Sequence, residues 1–208
     1  MTGDPLAVIA RIRATERPPL PRPGEHCELC RAPIGDEHGH VVDIVGRGLL
    51  CACRPCYLAF TPKGAGGGHF KAVPDRFEVL PALRMSPAQW DALQIPVEVA
   101  FFFVNTSLAR VCAFYPSPAG ATESLLELDT WDDLITDNPE LATLEPDVEA
   151  FLVRADARGG SPTCYLVPID ACYELVGDLR RLWKGFDGGQ EARAALDDFF
   201  ARVTARAS

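Results

Sequence analysis

Two Cys-x-x-Cys pairs, Cys27-Glu28-Leu29-Cys30 and Cys53-Arg54-Pro55-Cys56, stand 22 residues apart and constrain the chain more than any other feature. A deprotonated thiolate is a strong ligand for zinc, and four of them close a tetrahedron, so two separated pairs are an economical way to build one site. Five of the eight cysteines (Cys27, Cys30, Cys51, Cys53 and Cys56) fall within thirty residues, in company with His26, His38 and His40. Cys112, Cys164 and Cys172 are scattered. In a reducing compartment that clustering points to a metal rather than to a disulfide framework.

The surroundings of the two pairs differ. The first follows a proline-rich run, residues 17–24, that reads as a stiff approach to a turn. Residues 41–45 then read as a strand, Arg47-Gly48 as a turn and residues 49–51 as the returning strand. In the second pair Pro55 suits the first turn of a helix, where its missing N–H costs nothing. Turn, hairpin and helix in that order resemble a treble-clef zinc finger. On this reading Cys27, Cys30, Cys53 and Cys56 hold a structural Zn2+ that performs no reaction. Cys51, two residues before Cys53, shares its parity on an extended chain and is a further candidate ligand. His38 and His40, spaced i, i+2, are candidates of the same kind, while His69 reads as a loop residue. An iron or iron–sulfur site on the same thiolates is the alternative. A rubredoxin-like iron site would use two similar turns with small residues after each pair, and Arg31 and Tyr57 occupy those places.

Beyond the hairpin, Gly64-Ala65-Gly66-Gly67-Gly68 is not a phosphate-binding loop. Lys63 precedes the glycines and His69 follows them, so neither the lysine nor the hydroxyl such a loop needs is in place. The expected organisation is an arm with a Pro-rich linker over 1–24, a four-cysteine metal-binding domain over 25–62, a Gly-rich connection over 63–76 and an α+β domain over 77–204. In the last, Ser86-Pro87-Ala88-Gln89 is a helix start with serine cap, proline and capping-box glutamine. Residues 97–104 are apolar on both faces and predict a central strand, returning as a hairpin through 109–115. A short helix capped by Asp129 or Thr130, strands near 148–153 and 164–167, and two amphipathic helices follow. The first of those helices is expected to be capped by Asp170, and the second to begin near Gln190. Helices on at least one face of an antiparallel or mixed sheet make the class α+β.

The formal net charge of −9 argues against a grip on nucleic acid, which needs clustered positive charge. Residues 120–157 carry eleven Asp or Glu and one Arg, which predicts an acidic surface suited to a basic partner or to solubility. Asp4 and Pro5 interrupt any secretory start, and the longest apolar run is far shorter than the ~20 residues of a membrane helix, so a cytoplasmic protein is expected. Neither a Gly-x-Ser-x-Gly elbow nor a His-Glu-x-x-His motif is present. Asp129, Asp132 and Asp133 read as helix caps rather than an acid/base pair. Cys164 and Cys172 flank a strand-to-helix junction where they are placed to approach one another, yet lone cysteines on apolar elements usually serve as small hydrophobes. A small metal-dependent enzyme built around His38 and His40 is the remaining catalytic alternative.

The motifs CELC at 27–30, CACRPCYLAF at 51–60, VPDRF at 73–77, QWDALQIPV at 89–97, AFYPSPAGATESLL at 113–126, LATLEPDVEAFLV at 141–153 and VPIDACYELVG at 167–177 carry a resemblance. Together they resemble a family of uncharacterised proteins encoded beside uptake NiFe-hydrogenase genes in actinobacteria and related organisms. The likeness spans almost all of residues 27–200, and Cys27, Cys30, Cys53 and Cys56 fall on that family's cysteine pairs. The resemblance implies an accessory factor for hydrogenase assembly or electron delivery, with a hydrogenase subunit or its maturation proteins as candidate partners. A zinc-stabilised adaptor is the leading expectation, and an electron-transfer protein using the same cysteines is the alternative.

Overall fold

The computed structural model describes residues 26–81, 83, 85–124, 134–156, 160–185 and 188–207. The arm expected over 1–24, the helix start at Asp129 or Thr130 and the Asp132-Asp133 pair lie outside the described residues. In chain order the elements are β1 (Gly39–Asp43), β2 (Gly48–Ala52), α1 (Arg54–Ala59), a 3-10 turn (Ala65–Gly68), β3 (Phe70–Ala72), β4 (Glu78–Val79), α2 (Pro87–Ala92) and β5 (Val99–Asn105). They continue with β6 (Arg110–Ser117), β7 (Gly120–Ser124), a second 3-10 turn (Pro139–Thr143), β8 (Glu149–Arg154), β9 (Thr163–Pro168), α3 (Ile169–Leu182) and α4 (Gly189–Arg206). The strands form two sheets, β2-β1-β3 and β4-β9-β8-β5-β6-β7, with every pairing antiparallel. The class is α+β, as the alternation of patterns predicts.

β5 lies inside the larger sheet because it is the strand with two apolar faces to cover. Val99, Phe101 and Phe103 turn toward α3 and α4, meeting Leu175, Val176, Leu179, Phe199, Phe200 and Val203 in one core. Ala100 and Phe102 turn the other way, into a second core with Trp90, Leu93, Leu134, Phe151 and Val153. α2 is started as its sequence predicts. The Gln89 N–H donates to Ser86 Oγ at 3.2 Å, and the Ser86 N–H donates to Gln89 Oε1 at 2.8 Å.

Three expectations change. Asp170 is not the cap of α3: β9 runs directly into the helix, Pro168 takes the cap position, and Asp170 falls in the first turn. Cys164 and Cys172 do not approach one another, because the sheet separates them into different cores. In the acidic middle segment, among its described members, Asp147 and Glu149 turn inward while Glu123 and Glu145 stay at the surface in ion pairs. Glu123 pairs with Arg110 at 2.5 Å, Glu145 with Lys71 at 2.5 Å, and Glu149 with Arg76 at 3.4 Å. Asp147 accepts the N–H and hydroxyl of Thr106 at 2.8 and 2.7 Å. These contacts spend charge on fastening loops, and the acidic surface is reduced accordingly.

The small sheet is a layer with two occupied faces. Partners across an antiparallel pair share a face, and alternate residues switch faces. In β1 and β2 the pairs are Gly39–Ala52, His40–Cys51, Val41–Leu50 and Val42–Leu49. Val41 and Ala52, both fully buried, join Cys27 in a small core with Leu29, Ile34, Tyr57, Phe60 and Phe70 around it. Val42 and Leu49, on the opposite face, pack on the core of the larger sheet. His40 and Cys51 lie on that second face. β3, which follows the glycine run, completes the small sheet along β1.

Candidate metal centre

The first pair sits on a tight knuckle. The Cys27 N–H donates to Ala32 O at 2.7 Å and the Arg31 N–H to Cys27 O at 2.8 Å, while His26 and Pro33 form an isolated bridge. Arg31 has φ 67°, the left-handed conformation in which glycine is more at ease. A small residue is absent, but the backbone shape that would favour one is present. Glu28 clips the knuckle to β2. Its N–H donates to Cys51 O at 2.8 Å, and its carboxylate accepts the Cys51 N–H at 2.7 Å.

The second pair begins where β2 ends. Cys53 caps α1, Pro55 lies in its first turn, and Cys56 follows within that turn. Cys27, Cys30, Cys53 and Cys56 bring their sulfurs within 4.8 Å of one another, with Cys30 Sγ and Cys53 Sγ 3.5 Å apart. A tetrahedral ion with metal–sulfur bonds of about 2.3 Å sets its sulfurs ~3.8 Å apart, so the four cysteines fit one ion with small adjustments. They form a four-cysteine cluster capable of coordinating a metal ion, and protein sulfur fills every position of a tetrahedron. Burial pushes the Cys27 thiol up, but N–H groups of Cys53, Cys30 and Leu29 aimed at its sulfur outweigh that and lower it to about 6. Cys30, burial and Cys53 together push Cys56 up to about 12. Without an ion, Cys27 is thus the readier of the two to lose its proton and Cys56 the more reluctant, and a divalent cation would replace the protons that remain.

Cys51 does not join this cluster. Its place in β2, opposite His40, groups it with His38 and His40, whose donor atoms also lie within 4.8 Å of one another. The two imidazoles meet edge to face at 4.9 Å between centroids. Each is held at Nδ1: His38 by the carbonyl of Gly35 at 2.9 Å, His40 by Asp170 Oδ2 at 2.8 Å. His38 Nε2 and His26 Nδ1 are buried with no hydrogen-bond partner. His69 is exposed at the end of the first 3-10 turn. Cys112, Cys164 and Cys172 are buried in the apolar cores, and burial raises all three thiols, Cys164 to about 12. They behave as small hydrophobes.

Asp170 and Gly39 are the positions sequence reasoning missed at this site. Gly39, between the two histidines, lets β1 lie against α1: a Cβ there would come within 2.5 Å of the Tyr57 ring. The Tyr57 hydroxyl in turn donates to Val73 O at 2.9 Å. A glycine at the start of a strand, flanked by histidines, is the one signal in the sequence for that close approach.

A family profile described as a family of unknown function, DUF5947, matches residues 26–207. No curated protein matches the chain, and no solved structure matches it. Among the described residues, no helix is long and apolar enough to cross a membrane.

Proposed function

The chain belongs to the DUF5947 family, and from that premise we propose that it is a zinc-stabilised accessory or adaptor protein that acts by binding rather than by turnover. Cys27, Cys30, Cys53 and Cys56 hold the ion, and the ion holds residues 26–60 in shape against the larger α+β unit. The observation that carries this reading is the closed four-cysteine cluster, whose sulfurs leave a tetrahedral metal no position for a substrate. The energetics agree. Among the described residues, the small core has three fully buried members, Cys27, Val41 and Ala52. A core that small gains from an ion, and a structural zinc contributes on the order of 10–16 kcal/mol.

The cytoplasmic partner we propose is a NiFe-hydrogenase subunit or one of its maturation proteins, so that the chain supports hydrogenase assembly or function. The support for that finer statement is the resemblance of the CELC, CACRPCYLAF and VPIDACYELVG motifs. Zinc is preferred over iron because the two pairs are framed differently, one on a knuckle and one on α1. The test is metal analysis and the visible spectrum of anaerobically purified protein, with a pull-down from cells that carry or lack the hydrogenase genes. Colourless protein with bound zinc, and recovery of a hydrogenase component only from the first cells, is the expected result. Stoichiometric iron with a charge-transfer band would replace this reading with electron transfer.

A further inference from the structure

We propose that His38, His40 and Cys51 form a second metal site, separate from the four-cysteine cluster, which binds a divalent cation of the zinc class and leaves one coordination position open. Three observations converge. The register of β1 and β2 sets Cys51 opposite His40, and His38 stands just ahead of β1, two residues from His40. Their donor atoms lie within 4.8 Å of one another. A tetrahedral zinc asks for separations of ~3.3–3.8 Å between nitrogen and sulfur donors, so side-chain movement of roughly 1 Å completes the geometry.

The second observation is how the imidazoles are held. Ligating histidines characteristically donate their other ring N–H to a carboxylate or a carbonyl, which fixes the ring and its tautomer. Here Asp170 takes Nδ1 of His40 and the Gly35 carbonyl takes Nδ1 of His38, at 2.8 and 2.9 Å. Both rings therefore have Nε2 left for an ion.

The third observation separates a site from ordinary packing. His38 Nε2 is buried and has no hydrogen-bond partner. Leaving such an atom unsatisfied costs about 1–3 kcal/mol, and packing alone offers no compensation. A cation between His38, His40 and Cys51 supplies the missing partner. Three protein ligands leave the fourth position to water or to the donor atom of a small ligand. Both histidines also line a cavity of about 1090 Å³, whose other walls include Arg54, Tyr57, Asp75 and Glu174.

The experiment is Co2+ titration of the metal-stripped full chain, followed by metal analysis and the visible spectrum. The wild type is expected to take two ions. The double variant His38→Gln, His40→Gln should take one, with the sulfur-to-cobalt bands of the four-cysteine cluster and the circular dichroism unchanged. Asp170→Asn, which alters a positioning residue, should weaken the second ion by roughly 10–100-fold and leave the first in place. Added imidazole should shift the bands of the second ion only. A wild-type chain that binds a single, sulfur-ligated ion overturns the second site while leaving the proposed function standing. So does a double variant that still binds two ions. A wild-type spectrum of two ions, neither answering to imidazole, refutes the open position.

Discussion

His40 in β1 and Asp170 in the first turn of α3 share a hydrogen bond of 2.8 Å between Nδ1 and Oδ2, across 130 residues of sequence. It fastens the metal-bearing sheet to the larger unit. Lys71 assists from β3, donating to Pro146 O at 2.8 Å, and Val42 and Leu49 cover the apolar part of the same junction. Both partners are one-quarter exposed, so the bond is worth less than a fully buried pair. Asp170→Ala should lower unfolding stability by about 1 kcal/mol. Chemical denaturation of the metal-loaded protein measures it, and an unchanged midpoint would show that the apolar contacts alone hold the junction.

Removing a ligand should act locally. With Cys27→Ser or Cys56→Ser the chain should lose the ion of the four-cysteine cluster, and amide exchange should become fast over β1, β2 and α1. β5 and β8, buried between two cores of their own, should keep their protection. Hydrogen-exchange mass spectrometry distinguishes this from joint melting, in which β5 and β8 lose protection at the same metal concentration as β1.

Gly39→Ala tests the close approach of β1 to α1. The added Cβ would lie 2.5 Å from the Tyr57 ring, so the ring must move and its hydroxyl must release Val73 O. A destabilisation of about 1–3 kcal/mol is expected, from overpacking and the lost bond. Equilibrium unfolding beside Tyr57→Phe separates the two parts: the phenylalanine variant should cost less, because it removes the bond without the clash.

Alkaline stability should carry the signature of a buried thiol. The Cys164 pKa is raised by burial from 9.0 to about 12, so the folded chain keeps this proton where the unfolded chain releases it. By linkage, the contribution is complete below pH 9 and disappears as pH climbs toward 12. Over that window one such thiol removes up to about 1.4 kcal/mol per pH unit. Cys164→Ala, despite a constant cost for the lost packing, should show a shallower decline by close to one proton. Parallel declines would mean that Cys164 ionises in the folded state as it does when unfolded.

The sequence made some of this plain because single residues settle it. Residues 97–104 admit only a strand covered twice, and Ser86-Pro87-Ala88-Gln89 admits little but a helix start. The cysteine pairs announce themselves by spacing. Elsewhere the decision lies in pairings between distant segments. β3, three residues long, has no periodicity of its own and exists by pairing with β1. β4 and β7 are edge strands of the same borrowed kind. Cys51 and Cys53 share a parity on paper, yet β2 ends at Ala52 and α1 starts beyond it. The turn between them sends one sulfur to the histidines and the other to the four-cysteine cluster. Asp170 reads as a cap until β9 is seen to enter α3 without a loop.

The most direct measurement strips the full-length protein of metal under reducing conditions, then follows amide exchange in β1, β2 and β8 as zinc is returned. β1 and β2 should be unprotected at first, β8 protected throughout, and β1 and β2 should recover as the four-cysteine cluster fills. Metal-free protein whose β1 and β2 amides are already as slow as in the loaded form would contradict a sheet held in shape by its ion.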